Sequence, residues 1–455
     1  MHHKDAILDK LAERGNVAQF VSFRPDHGSA RQSHTRIAGH EPNQFFLDTH
    51  EAIETLMAAS ADQSVNVRSY LPSDPRSREF VYGLKSVAEA VKTVERLTAE
   101  GLHTIVNETV DVADGGVSGV LQGHTLEFSP DDTPRCVEKA GTASMPFDKG
   151  MALCELVYGF RPDLDAVSGE RTEFSIHPRP MGWKRTHTLL WEHEAGVPDA
   201  KPSPIAWPNN FSRMIGDKAF GLIIAHLSGA CVPRTLAISR RVRPFGFGRA
   251  TGELETWIRS CPTEQQPGLY TTAKGWLDPF KLMQEEDPEG DRIASVLAQD
   301  AVAAGYSGAA IASADGKLII EGVVGEGDDF MTGQVQPTDL PRSIIAAVEN
   351  LNRRLTSVLG PVRFEWVHDG KTAWCVQLHQ GRSVSTSRVI VEGQTDDWLD
   401  FDVGQGLPGL RQLLMTAPAN TGIRVQGEVG LTSHIADVLR KEGRPARFAT
   451  LKADA

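Results

Sequence analysis

The sequence lacks the features that mark membrane proteins, nucleic-acid-binding proteins and disulfide-rich secreted proteins. No apolar run reaches the roughly 20 residues that a membrane-spanning helix needs, and the N-terminus lacks the apolar core of a signal peptide. No basic stripe stands out against the net charge of −12, so we expect no nucleic-acid partner. The five cysteines are scattered, odd in number and form no CxxC pair, which predicts a reducing, cytoplasmic compartment and no structural zinc.

What the sequence has is length and an ordinary globular composition. Its 455 residues, 40% hydrophobic and 23% charged, suit a multidomain protein rather than a single core. The proline-rich stretch "EAGVPDAKPSPIAWPNN" predicts a linker near 194–210, and "QGRSVSTSR" marks a weaker break at 380–388. These breaks divide the chain into segments 1–195, 205–382 and 386–455.

The first two segments share an order of patterns. "HTIVNETVDVADGGVSGVLQGHTLEF" and "ASVLAQDAVAAGYSGAAIASADGKLIIE" both predict a strand, a Gly-rich turn and two further strands. Matching positions in the two stretches are a polar strand end, a Ser-Gly pair and an acid: Glu108 and Gln299, Ser118-Gly119 and Ser307-Gly308, Glu127 and Glu321. Either the first segment is a degenerate repeat of the second, or two α/β segments are alike by chance.

Helical patterns and hairpins together indicate the fold class. Apolar residues recur at three- and four-residue spacing in "DTHEAIETLMAAS", "LKSVAEAVKTVERLTAEG", "GDKAFGLIIAHLSGA" and "DLPRSIIAAVENLNRRLTSVLG". Each of the first two segments also ends in a long hairpin pattern, "TEFSIHPRPMGWKRTHTLLWEHE" and "RFEWVHDGKTAWCVQLHQ". Antiparallel hairpins combined with helices predict α+β layers rather than a doubly wound sheet.

The second hairpin carries a candidate metal site. Asp369-Gly370 is a plausible turn, and folding the strands about it brings Glu365 beside Gln377. A carboxylate next to an amide oxygen suits Mg²⁺, which prefers oxygen ligands and substrate phosphates. The alternative is a polar pair that faces solvent.

Two further positions fit a phosphate site. Lys218 follows a glycine at the start of an amphipathic helix, where it either covers nucleotide phosphates or is a surface lysine. "VVGEGDDFMTG" places Glu326, Asp328 and Asp329 in a Gly-rich turn, which either lines a metal–phosphate site or is an acidic loop.

His434 stands at the start of a helical pattern near the C-terminus, in "GLTSHIADVLRKEGRPARF". The free N–H groups of a helix N-terminus favour an anion, and a neutral imidazole is a good nucleophile toward phosphorus. His434 is therefore a candidate phosphoryl carrier, the alternative being a residue that caps or packs the turn.

The same stretch resembles the phosphohistidine signature of the phosphoenolpyruvate-utilising enzymes, which include phosphoenolpyruvate synthase and pyruvate phosphate dikinase. His434, Arg440, Gly443, Pro445 and Ala446 keep the spacing of that signature.

Other motifs of that family occur in its order over more than half of the chain. "IGDKAFGLIIAHLSGACVPRTLAIS" resembles the opening of the nucleotide domain, with Lys218 at the phosphate-binding lysine. "LAQDAVAAGYSGAAI" is similar to the strand beside the adenine pocket, with Gln299 matching, and "GVVGEGDDFMTGQVQPTDL" has Asp328 in place of the acid of the family. "FEWVHDGKTAWCVQLHQ" resembles the metal-binding hairpin, where Glu365 and Gln377 match.

The chain also departs from the family pattern. The Arg-Ser-Ser motif of the family is expected between Lys218 and Gln299, where "LYTTAKGWLDPF" offers Lys274 as the cation. An Arg-Ser pair stands instead in "VNVRSYLPSDPRSREFVYGL", so Arg68 either completes a composite site or binds the acceptor. His379 occupies the position where the hairpin of the family has arginine.

The resemblance implies an ATP-grasp domain at 205–382 followed by a small swivelling phosphohistidine domain at 386–455. With ATP and Mg²⁺ as cofactors, a phosphoryl group would pass from ATP through His434 to a small-molecule acceptor, with Arg68 assisting. The acceptor would be held by residues 1–195 or by a partner protein. The expected partners of the chain are such a protein or further copies of itself in a homo-oligomer. Two alternatives stay open: a nucleotide sensor without turnover, and an ATP-grasp ligase in which His434 is structural.

Overall fold

The computed structural model describes residues 3–194, 196, 204–264, 266, 269–313, 316–381, 389–427 and 429–449. The chain forms two compact units: Met1–Glu155 with Phe160–Ser203, and Leu156–Gly159 with Pro204–Ala455. Most of the predicted breaks at 194–210 and 380–388 lies outside the described residues or at the division between the units. Across the described ranges, no helix combines the length and apolar character that crossing a membrane requires. All five cysteines are described, and they are free thiols.

The first unit contains two five-stranded sheets with strand orders β2-β1-β5-β3-β4 and β10-β9-β6-β7-β8, in the numbering that follows. Its helices are α1 (Lys4–Arg14), α2 (Thr49–Ala59), α3 (Val87–Ala99) and α4 (Phe147–Tyr158). Its strands are β1 (Phe20–Asp26), β2 (Ser29–Arg36), β3 (Val65–Leu71), β4 (Asp74–Leu84), β5 (His103–Glu108), β6 (Val117–Gln122), β7 (Thr125–Pro130), β8 (Ala143–Pro146), β9 (Arg171–Met181) and β10 (Thr186–Glu194).

The second unit contains three sheets, ordered β12-β11-β15-β13-β14, β17-β16-β18-β19 and β20-β23-β22-β21. Its helices are α5 (Asn210–Ile215), α6 (Asp217–Leu227), α7 (Pro279–Glu286), α8 (Asp328–Met331), α9 (Arg342–Leu359), α10 (Gly406–Thr416) and α11 (His434–Glu442). Its strands are β11 (Thr235–Ser239), β12 (Phe245–Phe247), β13 (Thr256–Pro262), β14 (Thr272–Lys274), β15 (Ile293–Asp300), β16 (Tyr306–Ala312), β17 (Leu318–Val324), β18 (Val362–His368), β19 (Ala373–Gln380), β20 (Val389–Val391), β21 (Trp398–Asp402), β22 (Gly422–Gln426) and β23 (Ala446–Phe448).

The four helices predicted from apolar spacing are present as α2, α3, α6 and α9. Side chains cap two of them, because Asp48 accepts the amide of Glu51 and Ser86 accepts the amide of Glu89. Most sheets are antiparallel, and within the described residues the parallel ladders lie in the third sheet of the second unit, where β22 pairs with β21 and β23. The protein is therefore a mixed α/β structure built largely from antiparallel sheets.

The two Ser-Gly pairs lie on β6 and β16, and both glycines are required by close backbone packing. A Cβ added at Gly119 would overlap the carbonyl oxygen of Glu127, and one added at Gly308 would overlap that of Glu321. Glycine is thus required after the serine for the same steric reason in both units.

One predicted correspondence between the two units is wrong. Arg68 on β3 pairs with the residue two before Asn107, and Arg259 on β13 pairs with the residue two before Gln299. Asn107, rather than Glu108, therefore occupies the position of Gln299, because a shift of one residue along a strand moves a side chain to the other face.

The predicted hairpin consists of β18 and β19, and its register places Glu365 opposite Gln377. Glu365 also pairs with Ala309 on β16, which pairs with Glu321 on β17. Directly paired residues point to the same face of a sheet. Glu321, Ala309, Glu365 and Gln377 therefore form one row across this face, whereas Trp366 is buried on the opposite side.

Residues 389–427 and 429–449 form a C-terminal lobe with its own apolar core. Phe401, Ile423, Val425 and Leu439 are fully buried in this core, and Ile319 of β17 packs against it. The lobe belongs to the same compact unit as residues 204–381. Its existence as a separate, swivelling domain stays a prediction.

A docking cluster of Glu321, Arg363, Thr432 and Asp437 holds the lobe on the sheet. The Glu321 carboxylate accepts the Thr432 amide at 2.8 Å and its hydroxyl at 2.7 Å. Arg363 donates to the carbonyl of Thr432 at 2.9 Å and forms an ion pair with Asp437. The Arg363 and Asp437 side chains are only 9% and 10% exposed. Burial alone would raise the pKa of Asp437, but the interactions with Arg363, His434 and Arg440 together outweigh burial and lower it.

We expect Gly308→Ala to lower the free energy of unfolding by about 1–3 kcal/mol, the usual cost of forcing extra atoms into a packed interior. Urea unfolding followed by circular dichroism measures it. Gly246→Ala is the matched control, because the nearest atom to its added Cβ would be 3.6 Å away. Equal midpoints for the two variants would contradict the steric role of Gly308.

We expect Asp437→Ala to destabilise the docked lobe by about 3–5 kcal/mol, because Arg363 would remain buried without its charge partner. Hydrogen exchange should speed up across α11. Asp400→Ala is the control within the lobe, since the Asp400–Arg424 pair is exposed and screened by solvent. Unchanged protection of α11 in Asp437→Ala would show that the ion pair does not hold the lobe.

Candidate functional site

The candidate site is a cleft in the second unit between the sheet that contains β13 and β15 and the sheet that contains β16, β18 and β19. Side chains from all five strands and from the turn before α8 line it. Its volume is about 80 Å³, whereas pockets for ligands of drug or nucleotide size hold roughly 300–1,000 Å³. A ligand as large as a nucleotide would therefore have to separate the two sheets.

Two cations face this part of the unit. Lys218 is the second residue of α6 and donates from Nζ to the carbonyl of Ser260 at 3.2 Å. Arg259 lines the cleft and donates from Nη1 to the carbonyl of Val376 at 3.0 Å. Burial lowers the pKa of both Lys218 and Arg259. Two partly desolvated positive charges side by side favour an anionic ligand.

The predicted metal ligands lie beside these cations. Glu365 lines the cleft, and its Oε1 is buried without a hydrogen-bond partner among the described residues. The Nε of Arg259 is likewise buried and unpartnered in the described part of the chain. A buried donor and a buried acceptor left unsatisfied in one cleft are what a missing ligand would explain. Gln377, opposite Glu365, contacts Nε2 of His379 at 2.6 Å.

Gln299 and Asp328, the two residues that the sequence assigns to the nucleotide site, both line the cleft. Gln299 is buried on β15 and donates to the hydroxyl of Thr235 at 3.2 Å. Asp328 is the first residue of α8, and burial raises the pKa of its carboxyl group. The structure thus brings Gln299, Asp328 and Glu365 to one cleft.

Lys274 lies on β14 and is not among the residues that line the cleft. Its Nζ forms ion pairs with Glu255 at 2.8 Å and with Glu326 at 2.7 Å, which raise its pKa. Arg259 provides the cation at the cleft wall. The sequence signal for it is the pair Arg259-Ser260 in "TWIRSCP", the same dipeptide as Arg68-Ser69 in the first unit.

His434 begins α11, with Ser433 as the N-cap. Its side chain is 19% exposed, and Nδ1 lies 3.9 Å from the Asp437 carboxylate. The turn before it rests on Glu321, which belongs to the same row of the sheet as Glu365. His434 therefore begins a helix docked on the face of the sheet that carries the candidate metal ligands.

Arg68 lies in the first unit, on β3. Burial lowers the pKa of Arg68, and attraction to Glu192 is the largest of the effects that oppose this shift. Its participation in a composite site with the second unit stays a prediction.

The donor set fits Mg²⁺ bound together with phosphate. Across the described ranges, no group of three or more histidine, cysteine, aspartate or glutamate residues could hold a metal ion. Glu365 and Gln377 offer a carboxylate and an amide oxygen, and Mg²⁺ commonly takes its remaining ligands from phosphates and water. Lys218 and Arg259 would lie against the same phosphates.

Comparison with known proteins gives no family. No family model matches the chain, and no curated protein matches it.

Solved structures resemble parts of the chain at low similarity. D-alanine–D-alanine ligase from Bacillus anthracis, complexed with ATP, is 14% identical over 36% of this chain and 53% of its own, with a TM-score of 0.25. Macrocyclase MdnB from Microcystis aeruginosa MRC is 12% identical over 38% and 55%, with a TM-score of 0.23. A RimK domain protein ATP-grasp from Sphaerobacter thermophilus DSM 20745 is 18% identical over 37% and 58%, with a TM-score of 0.22. The chain spans little more than half the length of each, and scores at this level do not establish a shared fold or activity.

Proposed function

We propose that the second unit is an ATP-grasp-type enzyme that binds ATP with Mg²⁺ and transfers its γ-phosphoryl group. The observation that carries the proposal is the convergence of Arg259 and Glu365 on one cleft with unsatisfied buried polar atoms. Lys218 lies near enough to interact electrostatically with both. Cations and an oxygen-rich metal site are the two kinds of group that phosphoryl transfer needs from a protein.

Each residue has a role in this proposal. Lys218 and Arg259 hold the phosphates and neutralise charge that develops on the transferred group. Glu365 and Gln377 would hold Mg²⁺, which when bound would withdraw charge from the phosphate oxygens. Gln299, which lines the wall of the cleft beside Trp257, would contact the nucleotide base.

A diffusible carboxylate is the acceptor that requires the least motion of the protein. Its oxygen attacks the γ-phosphorus and ADP leaves. An amine then attacks the carbonyl carbon of the acyl phosphate and displaces inorganic phosphate, as in a ligase. His434 acting as a mobile carrier would instead have to leave the sheet, which breaks the buried Arg363–Asp437 pair. We therefore favour a ligase-type reaction.

Transfer of the phosphoryl group to His434 is the second candidate, and the position of His434 on the face of the sheet that carries Glu365 favours it. The turn that precedes His434 binds Glu321, in the same cross-strand row as Glu365. In the docked arrangement Nδ1 of His434 is buried and faces Asp437 at 3.9 Å, so Nε2 would be the nitrogen that receives phosphorus.

We expect Glu365→Gln and Arg259→Met each to weaken binding of the ATP analogue AMP-PNP in the presence of Mg²⁺. A lost charge-assisted contact costs about 1.5–3 kcal/mol, or about 10- to 100-fold in Kd. Isothermal titration calorimetry measures the effect. Glu285→Gln and Arg292→Met, at exposed positions of the same unit, are the controls. If all four variants bound the analogue as the unmodified chain does, the cleft would not be the nucleotide site.

We expect ATP consumption that depends on a carboxylic acid and survives His434→Ala. The assay supplies γ-labelled ATP, Mg²⁺, hydroxylamine and a panel of amino acids, dipeptides and dicarboxylic acids. Hydroxylamine converts an acyl phosphate to a hydroxamate and releases labelled phosphate. Acid-labile, base-stable label on the protein that disappears in His434→Ala, but not in the exposed control His27→Ala, would instead identify His434 as the acceptor.

A further inference from the structure

The first unit contains a large cleft between its two sheets, which we term the N-terminal cleft. Its volume is about 970 Å³, within the range of pockets that hold nucleotide-sized ligands, roughly 300–1,000 Å³. Nothing in the proposed function of the second unit uses this cleft.

The sheets of the first unit repeat the strand order of the second. β2-β1-β5-β3-β4 corresponds to β12-β11-β15-β13-β14, and the run β7-β6-β9-β10 corresponds to β17-β16-β18-β19. The correspondence makes it meaningful to ask which residues of the first unit occupy the positions of the candidate site.

The basic wall of the site is repeated in the first unit. Arg68 and Arg259 hold matching positions in the register, each two pairs away from the matched amide residues Asn107 and Gln299. All four line their respective clefts. The Nε of Arg68, like that of Arg259, is buried without a hydrogen-bond partner in the described part of the chain.

The helix that carries the lysine is repeated as well. Lys4 in α1 lies eleven residues before Gly15, and Lys218 in α6 lies eleven residues before Gly229. Gly15 is the C-cap of α1, and Gly229 follows Ser228, the C-cap of α6. Lys4 lines the N-terminal cleft, and burial followed by the positive charge of Arg68 lowers its pKa.

The metal-ligand positions carry two carboxylates in the first unit. Glu173 on β9 pairs with Glu192 on β10, as Glu365 pairs with Gln377. The register shifts at the same place in both hairpins, directly beside this pair. Both Glu173 and Glu192 line the N-terminal cleft. Burial, and then the adjacent Glu192 carboxylate, raise the pKa of Glu173.

We propose that the N-terminal cleft is a second ligand site, which binds a nucleoside di- or triphosphate together with a divalent cation. Glu173 and Glu192 would hold the cation, while Lys4 and Arg68 would hold the phosphates. The residues themselves support binding of a metal-bound phosphate, and the choice of a nucleotide rests on the function proposed for the second unit.

The physical differences between the clefts favour the first unit as the firmer metal site. Two carboxylates bind a hard cation more strongly than one carboxylate and an amide. Exposed aromatic rings of Phe80 and Tyr82 on β4 add a wall on which a planar base can stack. The cleft is also already large enough for a nucleotide, so binding needs no separation of its sheets.

The test counts bound Mn²⁺ per full-length chain by electron paramagnetic resonance during titration with AMP-PNP. We expect two complexes per chain in the unmodified protein and one in Glu192→Lys, which places a positive charge at the metal position. Glu194→Lys, at an exposed position two residues further along β10, is the matched control and should retain two. Glu192→Gln recreates the Glu–Gln pair of the second unit and should weaken the first-unit complex about tenfold without abolishing it, the usual lower bound for a lost charged contact.

The second unit is tested separately with Glu365→Gln, so the two proposals succeed or fail independently. A complex that survives Glu365→Gln and is lost in Glu192→Lys supports the N-terminal site, whatever happens in the second unit. Equal counts in Glu192→Lys, Glu194→Lys and the unmodified chain would overturn it. Thermal unfolding of the Glu192 variants verifies that a lost complex reflects the site rather than a misfolded unit.

Discussion

The register of the β18–β19 hairpin is the constraint on which the candidate site depends. It places Glu365 beside Gln377 on the face shared with Glu321, and it buries Trp366 on the other face. A slip of one residue would turn the carboxylate into the apolar layer and the indole toward the cleft. The irregularity between Glu365 and Trp366 fixes that register locally, since a bulge is difficult to move along a packed strand.

The same face of the sheet also holds the C-terminal lobe, so ligand binding and docking share one set of charges. His379 contacts Gln377 and pairs across the hairpin with Arg363, which binds Asp437 of the lobe. Burial and the nearby Arg363 lower the pKa of His379 to about 4, so the ring is neutral near neutral pH. A neutral ring here lets Arg363 keep its full attraction to Asp437. The geometry therefore links the candidate metal position to the lobe through two intervening side chains.

Local patterns in the sequence predict the elements well and the distant pairings poorly. The hairpin is predictable because Asp369 accepts the amides of Lys371 and Thr372 in a turn that an Asp-Gly pair favours. Arg259 could not be found by the same means, because a buried arginine on a strand gains its role only from the partners that the other strands bring. The sequence pattern matched Glu108 with Gln299, whereas the strand register matches Asn107 with it, and this error has the same cause. Register between strands far apart in sequence is set by packing, and no window of residues contains it.

The two clefts share an arrangement of charges but differ in the conformational cost of binding a ligand. In the second unit the cleft beside Arg259 is small, about 80 Å³, and burial lowers the pKa of Arg259 and of the nearby Lys218. Opening that cleft returns water to these groups, so part of the attraction to an anionic ligand is offset by the work of separating the sheets. In the first unit burial lowers the pKa of Arg68 as well, but the cleft already has a volume of about 970 Å³, so a ligand would enter at a smaller conformational cost. The cleft of the second unit therefore favours selectivity, because only a ligand that satisfies the buried charges offsets the work of separating the sheets. The cleft of the first unit binds a metal-bound anion without that work.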